Sequence, residues 1–150
     1  MIYLGADHAG FKLKEAIKKY LAARGIEFED LGALKLDAKD DYPDFGARVA
    51  QGVAMNPKKN KGILVCGSAE GMGMVANKFK GVRAAVIYNE KSAKLSREHN
   101  DANVLSISGW ELNEAKMKKI VASWLETKFA GGRHARRLQK IAQIEKENFK

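Results

Sequence analysis

The stretch Ile63–Lys78, ILVCGSAEGMGMVANK, holds the only cysteine of the chain, Cys66, at the end of an apolar run. Gly67, Gly71 and Gly73 follow, with the acidic Glu70 among them. No Lys-Ser or Lys-Thr follows these glycines, so this is not a Walker loop, and their spacing does not match the dinucleotide fingerprint. No arginine follows Cys66 closely enough to serve a cysteine phosphatase. What remains is a strand, a tight turn and a helix start. Backbone N–H groups at such a place hold an oxyanion and draw down the pKa of a neighbouring thiol. Equally, a free cysteine here reads as a small buried hydrophobe. Residue type alone leaves both readings of Cys66 open.

Three other clusters carry chemistry. GADHAGFKLK puts Asp7 and His8 just after an apolar stretch and before a helix. They suit hydrogen bonds to sugar hydroxyls or to an anion, or an Asp N-cap with an incidental His. SREHNDAN puts His99 and Asn100 before another apolar stretch. A histidine there exchanges protons near neutral pH, or simply belongs to a turn. GGRHARRLQK places Arg133 and Arg137 at i and i+4, with His134 beside them. Two guanidinium groups on one helix face suit a phosphate, although a solvated basic helix looks the same. Taken together, a thiol, two histidines, an aspartate and an arginine pair without metal ligands suit proton transfer on a small phosphorylated substrate.

The elements that must position these groups alternate between strand and helix. MIYLG, IEFEDLG, KGILVCG, VRAAVIYN and ANVLSISG read as strands, and KGILVCG is apolar enough to be buried on both faces. FKLKEAIKKYLAAR gathers Leu13, Ile17, Tyr20 and Leu21 on one face, sets its lysines on the solvated face, and stops at Gly25. A helix with Pro43 in its first turn carries Phe45, Val49 and Val53, and a short one is expected from about Gly71 to Phe79. EKSAKLSREH reads as a further short helix, and NEAKMKKIVASWLETKF buries Met117, Ile120, Val121, Trp124 and Leu125. A last helix, from Arg133, is mostly polar, with Leu138, Ile141 and Ile144 as its apolar positions, and is expected to reach toward a partner subunit. This alternation predicts an α/β fold: a five-stranded, mostly parallel, doubly wound sheet flanked by helices. Ligands in such folds bind beyond the carboxyl ends of the strands, which nominates Gly5–His8, Cys66–Gly73, Tyr88–Asn89 and Ser106–Gly109.

Composition sets outer bounds. At 150 residues, 45% hydrophobic and 30% charged, the chain reads as one domain over 1–150. A single cysteine cannot form an intrachain disulfide and fits a reducing cytoplasm, and no Cys/His cluster has zinc-type spacing. No apolar run approaches the length of a membrane span, and the first residues lack the order of a signal peptide. The formal net charge of +9 permits nucleic-acid binding, but no aromatic–basic interleaving supports it, so no nucleic-acid partner is expected. The excess charge suits a small anionic substrate.

The segments GADHAGFKLK, DYPDF, GILVCGSAEGMGMVANK, GVRAA, SAKLSREHNDANVL and FAGGRHARR run from residue 2 to about 140. Their order and spacing resemble those of the ribose-5-phosphate isomerase B family, which also includes galactose-6-phosphate isomerase subunits. The resemblance implies a Rossmann-like fold and a homodimer or tetramer with active sites at the subunit interface. It implies isomerisation of an aldose phosphate to a ketose phosphate without cofactor or metal, best matched by D-ribose 5-phosphate and D-ribulose 5-phosphate. Another aldose phosphate, a hexose or tetrose, and a non-catalytic phosphosugar-binding protein are the alternatives.

By motif, Cys66 corresponds to the family's base, Ser68 to a residue assisting proton transfer, and the backbone from Gly67 to Gly71 to an anion hole. His99 matches the histidine that opens the sugar ring. Asp7 and Asn100 match residues holding substrate oxygens, and Tyr42 lies in the matching DYP. His8, Arg133 and Arg137 match phosphate-binding positions, with His134 nearby. There are two departures. The family's turn usually reads C-G-T-G-I-G-M, where this chain has Ser68, Ala69 and Glu70 at the third to fifth positions. A branch of the family uses a glutamate base that aligns with Met72, so Glu70 is not that base and is expected to point to solvent or to a partner. Many members also carry an arginine of the phosphate site where this chain has Trp110.

Overall fold

The computed structural model describes residues 1–149. In chain order the elements are β1 (Ile2–Ala6), α1 (Phe11–Ala23), β2 (Phe28–Asp30), α2 (Tyr42–Ala54), β3 (Lys61–Cys66) and α3 (Glu70–Ala76). β4 (Ala84–Val86), α4 (Glu90–Asn100), β5 (Val104–Ser108), α5 (Glu114–Glu126) and α6 (Arg133–Asn148) complete the chain. The strands form one sheet in the order β2-β1-β3-β5-β4, and every pairing is parallel. β3 and β5 lie inside the sheet and are buried almost throughout; β3 is accordingly a nearly continuous apolar run, while β5 buries Ser106 and Ser108 with their hydroxyls bonded to the Ala69 and Gly67 carbonyls.

Two apolar layers sandwich the sheet. On one side Leu13, Ile17 and Leu21 of α1 and Met117, Ile120, Val121 and Trp124 of α5 pack on Leu4, Val65 and Ile107. On the other, Val49 and Val53 of α2 and Met72 and Ala76 of α3 pack on Leu64 and Val104. Each fully buried Leu, Ile or Met contributes about 1.5–3 kcal/mol. α1 ends as its sequence requires. Gly25 takes φ +68°, and the N–H groups of Gly25 and Ile26 return to the carbonyls of Ala22 and Leu21. These are the two bonds of a Schellman motif, and the left-handed residue is the glycine.

Three expectations change. α3 stops at Ala76 rather than Phe79. There the Asn77 side chain exchanges two hydrogen bonds with the backbone of Ala84, acting as a strand partner instead of continuing the helix. β2 and β4, the edge strands, have only three residues each. Lys14 is not on a solvated face: it is fully buried, and its Nζ donates to both oxygens of Asp30 at 2.8 Å and to the Ala33 carbonyl at 2.5 Å. α6 also packs on its own chain. Glu145 accepts from the Gly81 N–H at 3.0 Å, and Leu138, Ile141 and Ile144 border a cavity against Val82, Ala84 and Ala85. His134 is the only buried residue of α6, in keeping with a polar helix outside the core.

Candidate active site

Sheet order reverses between β1 and β3: the chain runs from β1 outward to β2, then returns to place β3 on the opposite flank of β1. Such a reversal leaves a crevice at the carboxyl ends of the two strands. A cavity of about 320 Å³ lies there. The turn after β1 supplies Asp7, His8 and Ala9, the start of α2 supplies Tyr42, and the end of β3 supplies Cys66, Gly67, Ser68 and Gly71. Trp110, just beyond β5, closes the edge.

Every predicted residue of this half needs its local backbone. The carboxylate of Asp7 accepts from the N–H groups of Ala9 and Gly10, at 3.0 and 3.1 Å, and so shapes the turn that exposes His8. It is not the N-cap of α1; that place is taken by Gly10 without a side-chain bond. Burial pushes the Asp7 carboxyl above its ordinary pKa, against the pull of the Gly10 N–H. Ala69 sits in the left-handed region at φ 74°, which costs an L-residue roughly 1–2 kcal/mol. Its carbonyl is held by Ser106 Oγ at 2.7 Å, and the Tyr88 hydroxyl binds the Ser68 carbonyl. The turn is thereby braced from β5 and from Tyr88, two residues beyond β4.

Two aromatic rings lie directly against this turn. A Cβ on Gly67 would stand 2.5 Å from Trp110 Cζ2, and one on Gly71 2.5 Å from Tyr42 Cζ. A side chain at either glycine would meet the ring that lies against it, and the ring would have to move. Gly71→Ala is expected to swing the half-exposed Tyr42 ring out of the cavity without unfolding the chain. A change of that size in a positioned group costs about 100-fold in kcat/KM, and steady-state kinetics beside a thermal melt will separate the two effects.

Cys66 is buried, and its surroundings correct the expected drop in thiol pKa. Burial pushes the thiol up. The backbone N–H groups of Met72 and Ala69 pull it down, and Asp7 and Glu70 push it up again. Helix-start donors are present as foreseen, but desolvation outweighs them. Glu70 is exposed, with its carboxylate 3.2 Å from the Tyr88 hydroxyl, so it does turn away from the cavity as expected. Trp110, 73% exposed, gives the cavity an apolar wall and no charge.

The remaining predicted residues lie elsewhere. His99 and His134 stack, with ring centroids 4.2 Å apart and planes 14° from parallel, where the end of α4 meets the start of α6. Burial, then the neighbouring His99, Arg133 and Arg137, hold His134 below its ordinary pKa. Asn100 borders the apolar cavity under α6, and Arg133 and Arg137 are exposed on that helix. None of the five lines the cavity of Cys66. One chain therefore carries two separate clusters: a thiol with its glycine turn, and a group of histidines and arginines at the α4–α6 junction. Asp40 has no place in the sequence pattern of the site, Tyr88 enters it only as a strand-end position, and Lys14 only as a surface lysine; the doubled aspartate before Tyr42 is the only local signal for Asp40.

Residues 2–141 match the family model described as ribose/galactose isomerase. A probable ribose-5-phosphate isomerase B of Mycoplasma genitalium is 45% identical over 146 residues, covering 97% of this chain and 96% of that protein. The ribose-5-phosphate isomerase B of Escherichia coli is 42% identical over 144 residues, covering 96% and 95%. Among solved structures, the Mycoplasma genitalium isomerase with bound ribulose-5-phosphate superposes with a TM-score of 0.96 at 45% identity, covering 98% of this chain and 97% of that one. The Clostridium thermocellum isomerase B gives 0.92 at 43% identity, covering 97% of each chain.

Proposed function

The chain belongs to the ribose/galactose isomerase family, and from that premise we propose that it interconverts D-ribose 5-phosphate and D-ribulose 5-phosphate through an enediolate. The observation that carries the reading is the placement of Cys66 against a braced glycine turn at the sheet's switch point. The Cys66 thiolate removes the proton from C2 of the open-chain aldose. The electron pair left behind forms the C1–C2 double bond, and negative charge develops on O1. N–H groups between Gly67 and Gly71 face that charge, and stabilisation of this kind is usually the largest single contribution to such catalysis. Ser68 relays a proton between O1 and O2, and the thiol, whose proton exchanges with solvent over repeated turnovers, delivers a proton to C1. Nothing is consumed, so the cycle needs no redox partner.

The phosphate has to be met by cations, and His8 is the only one among the residues lining the Cys66 cavity. His99, Asn100, Arg133 and Arg137 lie at the α4–α6 junction instead. A second copy of the chain, bringing that cluster over the cavity, completes the site: His99 to open the ring, Asn100 on a sugar oxygen, and the arginines on the phosphate, with His134 buried beside them. Added cations also draw the Cys66 thiol back down, offsetting the burial that raises it. In this reading the active form is a homodimer or a higher symmetric assembly. Arg137→Ala is expected to raise KM about tenfold or more with a smaller change in kcat, since it removes a charge-assisted phosphate contact; an unchanged KM would remove Arg137 from the site.

A second reading, preference for another aldose phosphate, is favoured by one observation, the uncharged Trp110 wall. An assay across pentose, hexose and tetrose phosphates decides between them. Highest kcat/KM on ribose 5-phosphate is expected, and a higher value on a hexose phosphate would select the second reading.

A further inference from the structure

Asp40 lies on the loop before α2, with its side chain only 8% exposed. One of its oxygens, Oδ1, accepts two hydrogen bonds from His8: from the backbone N–H at 3.0 Å and from the ring Nδ1 at 2.8 Å. The other, Oδ2, is buried without a partner among the described residues. A buried carboxylate oxygen left unpaired is unfavourable, and such groups in native structures call for a functional explanation. Among the described residues His8 is the only donor to the carboxylate.

A carboxylate only accepts, so the Nδ1 facing it carries a proton. Nε2 is then the nitrogen left to the cavity. In the neutral ring it would offer a lone pair to an incoming phosphate oxygen; in the cation it offers a proton. We infer that Asp40 is a positioning residue for the phosphate end of the site: its buried carboxylate orients the His8 ring and keeps Nε2 a proton donor toward the substrate's phosphate. The inference deepens the proposed isomerase reading and rests on it, because it takes the anion that His8 meets to be a sugar phosphate.

The surroundings agree. The Asp40 hydrogen bond raises the His8 pKa, partial burial opposes it, and Asp7 and Asp37 add to the rise. The titratable groups around the ring are Asp7 on its own turn, Asp37 and Asp40 on the facing loop, and Cys66 and Tyr42 across the cavity. Among the described residues, no cationic side chain borders this cavity other than His8, so the pair itself decides what charge is offered there.

Asp40→Asn separates orientation from charge. An asparagine oxygen still accepts from both His8 donors and holds the loop, but it no longer favours the imidazolium. In the full-length protein, Asp40→Asn is expected to melt within a few degrees of wild type. KM for ribose 5-phosphate, and Ki for inorganic phosphate as competitor, should rise about tenfold at pH 8. They should rise much less at pH 6, where an ordinary histidine is already charged. The change in KM should exceed the change in kcat. The His8 ring, followed by nitrogen-15 NMR, should titrate at lower pH in the variant. Wild-type KM, Ki and His8 titration in Asp40→Asn would overturn the inference while leaving the isomerase reading intact. If the wild-type chain turned over no sugar phosphate, the isomerase reading would fail, and the His8 titration and phosphate binding would still decide the part played by Asp40. Asp40→Glu, which restores the charge, should recover part of the lost phosphate affinity; recovery no better than with Asp40→Asn would count against the inference.

Discussion

Replacing Cys66 by alanine is expected to lower kcat on ribose 5-phosphate by about 1,000-fold, the loss typical of removing a positioned general base. The fold should survive. Cys66 is 4% exposed and packs with Leu64, Met72 and Val104, so the change deletes one sulfur from the apolar layer under α2 and α3. A vacancy of that size costs about 1 kcal/mol. The thermal midpoint should therefore move by a few degrees while turnover disappears, a dissociation that indirect unfolding cannot produce. Glu70→Gln is the control. Its carboxylate is exposed and lies 3.2 Å from the Tyr88 hydroxyl, outside the residues lining the Cys66 cavity, so kcat should stay near wild type. A collapse of activity in Glu70→Gln, with Cys66→Ala active, would exchange the two roles.

The second large effect concerns stability. Lys14→Met is expected to destabilise the chain by about 3 kcal/mol and to lower Tm by roughly 10 °C. Lys14 is fully buried and grips Asp30, whose side chain is only 10% exposed. Without Lys14 that carboxylate keeps Lys18, at 2.9 Å, and the Gly32 N–H, but loses its buried cation, and the Ala33 carbonyl loses its donor. Activity should fall as well. The Gly32–Ala33 segment that Lys14 anchors exchanges two backbone hydrogen bonds with Ala6, next to Asp7. Replacing both partners together, Lys14→Met with Asp30→Leu, should recover part of the loss, because a buried pair exchanged for apolar groups is often nearly neutral.

Acid should act on the same pair. Burial alone would raise the Asp30 pKa, but hydrogen bonds from Lys14 and Lys18 and the Gly32 N–H outweigh it and hold the carboxyl below its usual value. A group whose pKa is lower folded than unfolded stabilises above its unfolded pKa, and that contribution is lost as pH falls through the folded value. Urea midpoints measured from pH 6 downward should decline below about pH 4, and less steeply in the Lys14→Met/Asp30→Leu chain.

The parts legible in sequence were those governed by local patterns. Period-3.6 apolar faces in α1 and α5, the continuous apolar run of β3, and the glycine stop of α1 all stand where their residues put them. The cavity half of the site was legible because strand ends concentrate ligand contacts in a doubly wound sheet, and Cys66, Asp7 and His8 sit at those ends. What escaped was long-range. Lys14 follows the helix-surface spacing of its neighbours, and nothing local shows that Asp30, sixteen residues on, waits for it in the interior. The thiol pKa was misjudged for a similar reason. Helix-start donors are visible in sequence, whereas the burial that outweighs them is a property of the packed layers. The separation of His99 and the arginines from Cys66 is a matter of three-dimensional placement that no spacing along the chain reports.

Proton abstraction by Cys66 is tested most directly by running the reaction in deuterium oxide and reading the sugar phosphates by NMR. With ribose 5-phosphate and the wild-type chain over many turnovers, ribulose 5-phosphate should form with deuterium at C1. Deuterium should also appear at C2 of the recovered ribose 5-phosphate, and both signals should vanish with Cys66→Ala. Failure of the wild type to form ribulose 5-phosphate, or ribulose 5-phosphate free of deuterium after many turnovers, would contradict the account.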